Sequence, residues 1–132
     1  MRNHSRVGDR SEDGFTLIEL LVVIIIIGIL AAIAIPLFLR QKDRALQAAM
    51  RSDLRDAASL METYYLDNGF YPTAIQYLPT QPATSKGTVL EVEAGSAPGT
   101  YCLKATHPSS SLSFVVYDSD RGGMLPADVP CS

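Results

Sequence analysis

From Leu20 to Leu39 the chain reads LLVVIIIIGILAAIAIPLFL, 20 residues without a charged or strongly polar side chain. A helix of that length rises ~30 Å at ~1.5 Å per residue, the thickness of a bilayer's hydrocarbon core. A chain of 132 residues cannot bury such a segment by itself. The segment must therefore lie in lipid or against other protein copies. This argues against a purely soluble cytosolic protein. A secretory signal peptide fits poorly, because the block is too long and runs into a further helical pattern instead of a small-residue cleavage site.

Around this block the sequence divides into four regions. Residues 1–14 are polar, with Arg2, Arg6 and Arg10 offset by Asp9, Glu12 and Asp13, and read as an unstructured leader. Residues 15–39 form the apolar half of a helix, and residues 40–68 its amphipathic half. In the second half Leu46, Met50, Leu54, Ala57, Ala58, Met61, Tyr64 and Tyr65 recur at three or four, the helical period. The charged residues Asp43, Arg44, Arg51, Asp53, Arg55, Asp56 and Glu62 fall mostly off that stripe. Asn68-Gly69 supplies a left-handed stop, and Pro72 prevents resumption. The spacing predicts one nearly continuous helix over Phe15–Asp67, ~80 Å long. Pro36 interrupts it by removing the bond to the Ala32 carbonyl and is expected to kink it there.

Residues 69–132 change to turn composition: Pro72, Pro79, Pro82, Gly87, Gly95, Pro98 and Gly99 separate short β-type runs. Thr88–Glu93, Thr100–Thr106 and Ser111–Tyr117 are the predicted strands, with Met124–Pro126 as a short edge piece. Together these give an α+β fold, a long amino-terminal helix packed through its stripe on a small antiparallel meander. Cys102 and Cys131 are the only cysteines and are too far apart for a CxxC redox or zinc pair. Two readings stand, a pair of buried free thiols or a disulfide formed outside the cytoplasm. The membrane segment ahead of them favours the disulfide.

The string Gly14-Phe15-Thr16-Leu17-Ile18-Glu19, followed by Leu20-Leu21-Val22-Val23, closely resembles the processing site of type IV prepilins and related pseudopilins. The resemblance implies that a membrane-embedded aspartic peptidase, the prepilin peptidase, cuts between Gly14 and Phe15 and methylates the new Phe15 amine. A glycine ahead of the cut lets the backbone enter a narrow cleft. Glu19, a carboxylate at the edge of an apolar span, needs a partner or an interfacial position. The resemblance supplies the free amine of a neighbouring subunit, and snorkelling to the headgroups is the alternative. Gly28 and Pro36 sit where the family carries helix-weakening residues, which implies local melting of Ile29–Ile35 as subunits pack. Tyr65 to Thr73 looks like the helix-to-loop junction of pilins and of the major pseudopilin. The Cys102 and Cys131 pair resembles the disulfide-bounded carboxy-terminal loop of many pilins.

What this implies is a structural subunit rather than an enzyme. It would wait as a single-pass protein of the cytoplasmic membrane. An assembly ATPase and platform protein would then lift it into a helical homo-oligomer at the cell surface. A pseudopilin of a type II secretion or DNA-uptake machine has the same parts, and a monomeric signal-anchored protein with a ligand-binding ectodomain is the rival of another class. One feature departs from the pattern, since Glu12 and Asp13 flank the glycine where family leaders are basic. Lys and Arg number three in the leader and five over Arg40–Arg55, so charge counting would place the leader outside. The cleavage motif, read from the cytoplasmic side, demands the opposite and is given more weight.

The remaining residues carry no catalytic pattern. Asp118-Ser119-Asp120-Arg121-Gly122-Gly123 has a calcium-loop flavour through Asp118 and Asp120. Val129, however, stands where an EF-hand needs its bidentate glutamate, and a turn explains the same residues. His4 and His107 lack a nucleophile arrangement. No cofactor is implied. A net charge of −3 argues against direct nucleic-acid binding.

Overall fold

The computed structural model describes residues 14–95 and 97–131, so the predicted leader lies outside the described residues except for Gly14. The chain divides into two compact units, with the boundary between Leu37 and Phe38, just past Pro36.

Helix α1 runs over Leu17–Asn68, 52 residues, through both Gly28 and Pro36. It ends where the sequence predicts. Gly69 adopts φ 79°, a left-handed conformation that only glycine takes without strain, and its N–H donates to the Tyr65 carbonyl at 2.7 Å. The Asn68 side chain adds a second closure, Nδ2 donating to the Tyr64 carbonyl at 2.9 Å.

In the first unit every described side chain is exposed except that of Ala31, which is half-buried. The apolar stretch has a mean hydropathy of 3.2 with none of it buried.

The second unit has its own core. Strands β1 (Val89–Ala94), β2 (Tyr101–Thr106), β3 (Val115–Asp118) and β4 (Gly123–Met124) form one antiparallel sheet in the order β1-β2-β3-β4. Successive strands pair with Leu90 opposite Ala105 and Leu103 opposite Tyr117. Alternation along β2 and β3 sends Tyr101, Leu103, Ala105 and Val115 to one face. There they pack on Met50, Leu54, Ala57, Ala58 and Met61, the stripe read from the sequence. The opposite face carries a smaller cluster of Cys102, Val116 and Leu125, with Phe114, Val129 and Cys131 against it. Cys102 and Cys131 are bonded, with Cα atoms 6.0 Å apart.

Two differences from the sequence reading have physical causes. The strand predicted over Ser111–Tyr117 forms only from Val115, because side-chain carboxylates take the backbone donors ahead of it. Asp43 Oδ1 accepts the Ser111 N–H at 2.7 Å, and Asp128 Oδ1 accepts those of Ser113 and Phe114 at 2.9 and 3.2 Å. The loop between the helix and β1 contains a 3-10 turn at Ile75–Tyr77. This loop is tied to the helix by Asp53, which is 4% exposed and accepts the Ser85 N–H at 2.8 Å and its hydroxyl at 3.0 Å.

Candidate functional site

The helix start is built by two side chains. The Leu20 N–H reaches the Thr16 carbonyl at 3.3 Å, which makes Thr16 the residue that opens the helix. The Thr16 hydroxyl accepts the Glu19 N–H at 3.3 Å, and Glu19 Oε2 accepts the Thr16 N–H at 2.9 Å. This reciprocal pair is a capping box, satisfying backbone donors that a helix leaves open in its first turn. Glu19 thus has a partner within its own chain that neither sequence reading supplied. Thr16 was missed although Thr-x-x-Glu ahead of an apolar run is the sequence signature of that box.

Gly14 and Phe15 precede the helix in exposed chain outside any helix or strand, with Phe15 92% exposed. A Cβ built on Gly14 or on Gly28 would meet nothing within 4 Å, so neither glycine is demanded by packing inside the single chain. From Leu17 onwards the helix presents Leu, Ile and Val on all sides. The arrangement offers an accessible backbone at Gly14–Phe15, one carboxylate at the edge of an apolar rod, and a large adhesive surface.

In the second unit the polar groups serve the fold. Glu62 accepts the Tyr71 hydroxyl through Oε2 at 3.0 Å and the Tyr101 hydroxyl through Oε1 at 3.1 Å. Burial, together with that carboxylate, pushes the Tyr71 phenol up to about 12 and raises the Tyr101 phenol as well. On the other face of the sheet Lys104 pairs with Glu93 at 2.7 Å and Glu91 at 3.2 Å, and its hydrogen bonds to both hold its ammonium above the usual range. The Ser111 hydroxyl and N–H hold the Asp43 carboxyl below the ordinary aspartate value.

Asp118 is fully buried at the end of β3, where its Oδ1 accepts the Asp120 N–H at 3.0 Å. Gly122 and Gly123 close the β3–β4 turn at φ 86° and 111°. Among the described residues no group of three or more His, Cys, Asp or Glu is gathered to hold a metal.

Residues 9–35 match the prokaryotic N-terminal methylation motif. Over 119 residues the chain is 38% identical to the major component of the type IV wide pilus of Thermus thermophilus, covering 86% of each chain. It is 42% identical over 77 residues to the type II secretion system core protein G of Klebsiella michiganensis, covering 56% of this chain and 54% of that one. The corresponding protein of Pseudomonas aeruginosa is 41% identical over 69 residues, 52% of this chain and 49% of its own. The match to these two secretion proteins thus spans about half their length, whereas the match to the pilus component spans most of both chains.

Proposed function

We propose that this chain, which belongs to the type IV pilin family, is a structural filament subunit matured by cleavage after Gly14 and N-methylation of Phe15. The observation that carries this reading is the contrast within one helix. The stripe Met50–Met61 is buried by the chain's own sheet, while Leu17–Leu37 has no cover of its own. Before assembly the bilayer would cover that surface, with the chain as a single-pass protein of the cytoplasmic membrane. In a filament at the cell surface, sister helices would cover it instead. Burying ~20 apolar side chains per subunit supplies the cohesion. Glu19 Oε2 is engaged by Thr16, which leaves Oε1 to accept from the Phe15 amine of a neighbour. Cleavage creates that amine, so maturation and assembly would be linked by one charge pair. Gly28 and Pro36 bracket the stretch that would loosen as helices pack. The prepilin peptidase, an assembly ATPase and a platform protein are the partners this reading requires.

A role as pseudopilin of a type II secretion machine is the second reading, supported by the matches to core protein G over about half the chain. The pilus reading is preferred because its relative is matched over 86% of each chain, against about half for core protein G. Mass spectrometry of protein recovered from cells tests the core claim: the expected first residue is N-methylated Phe15. An intact leader, or a cut elsewhere, would overturn it and restore a signal-anchored monomer. Glu19→Val should leave the cut in place and sharply reduce filament yield. Electron microscopy of sheared surface material separates long pili from a short pseudopilus.

A further inference from the structure

The second unit carries a groove of about 650 Å³ between the helix at Leu39–Asp43 and the loop Pro108–Ser111. Its helix wall presents Arg40 and Lys42, both exposed, and the ion pairs among the described residues involve neither. The one carboxylate in that wall is engaged. Asp43 accepts the Ser111 N–H at 2.7 Å, the Ser111 hydroxyl at 2.5 Å and Gln47 Nε2 at 2.8 Å. The loop wall is held by His107, whose Nδ1 accepts the Ser109 N–H at 3.1 Å. With Nδ1 accepting, Nε2 is the ring donor, and it meets the Lys86 carbonyl at 3.1 Å. Ser109 lines the same groove and is exposed. Two unpaired cations beside serine groups, with the nearest carboxylate already occupied, make a site for an oxyanion.

The place of the groove in the chain narrows the choice of anion. Arg40 directly follows Leu39, and Lys42 lies ~5 Å along the helix axis from that last apolar residue. If Leu20–Leu39 fills the hydrocarbon, the groove stands at headgroup depth. We infer that Arg40, Lys42 and the Pro108–Ser111 loop bind the phosphate of an anionic phospholipid in the non-cytoplasmic leaflet while the subunit waits in the membrane. This rests on the reading of Leu20–Leu39 as a membrane span. It also gives partners to two of the five cations that follow the span and oppose the charge rule. Asp43 is a positioning residue, fixing the loop against the helix.

The test uses the full chain in mild detergent with equal phosphatidylglycerol and phosphatidylcholine, read by native mass spectrometry. Phosphatidylglycerol should be retained in preference. That preference should fall about fivefold with Arg40→Gln or Lys42→Gln and to parity with both. Arg55→Gln, further along the helix, should leave it unchanged. Equal retention of the two lipids, or an equal loss with Arg55→Gln, would overturn the proposal. Displacement of the lipid by millimolar inorganic phosphate would show a free-anion site and overturn it too. Carbonate washing of native membranes separates the premise from the inference. A chain that washes out refutes the membrane span itself, whereas a chain that stays without lipid preference refutes only the groove.

Discussion

The two halves of α1 are one continuous helix with opposite relations to the rest of the chain. Between Met50 and Met61 it buries a stripe of side chains against a sheet that the same chain provides. Between Leu17 and Leu37 it buries nothing. The amphipathic half is therefore stabilised by intramolecular packing and the apolar half by whatever surrounds it, lipid or sister subunits. Helical propensity alone does not decide where a helix is stable; the cover does.

Reducing the disulfide should mark this contrast most strongly. A loop of 29 residues between Cys102 and Cys131 stabilises by about 3.5 kcal/mol in the chain-entropy estimate. Chemical denaturation of Cys102→Ser/Cys131→Ser in detergent should show the sheet unit weakened by about that amount, with the helicity of the apolar half unchanged. Leu54→Ala is next. It opens a cavity in the core and should cost about 3 kcal/mol. Leu30→Ala, which is exposed within the chain, should leave the same unfolding transition where it was. If Leu30→Ala destabilised the sheet unit as much, the independence of the two halves would be refuted.

Titration gives a smaller, directional effect. The Tyr71 and Tyr101 phenols titrate higher in the folded chain than the ordinary 10, so the unfolded chain loses its protons first. Their contribution is fully present below pH about 10 and is lost as pH rises through the folded values, about 12 for Tyr71. Thermal unfolding followed by circular dichroism should show melting temperature falling above pH about 10, with a shallower fall in Tyr101→Phe. The smallest effect concerns Asp43. Its folded value lies below the usual 3.8, so its support for the Ser111 loop is present above that pH and is lost as pH falls through the folded value. The protection factor of the Ser111 amide, its exchange rate taken relative to the intrinsic rate at each pH, should fall on acidification, and Asp43→Asn should remove that dependence.

What the sequence disclosed follows the range of the interactions. The helix, its stop at Gly69 and the buried stripe are local or periodic. They were legible to within two residues at each end. Strands β1 and β2 were found with boundaries one residue off, because turn residues bracket them. The short start of β3 was not legible. It depends on Asp43 reaching a serine 68 positions away and Asp128 reaching back 14 and 15 positions, pairings no local pattern encodes. Asp53 and Ser85, 32 positions apart, escaped notice for the same reason. Thr16 is legible in principle, since Thr-x-x-Glu ahead of an apolar run is a signature only four residues long.

The Thr16 hydroxyl has a consequence for timing. The clasp between Thr16 and Glu19 uses the Thr16 N–H and Oγ, and no atom of Gly14 or of the Phe15 nitrogen. Severing the Gly14–Phe15 link would leave the first turn wound as before, so such a cut would change a terminus without asking the rod to refold.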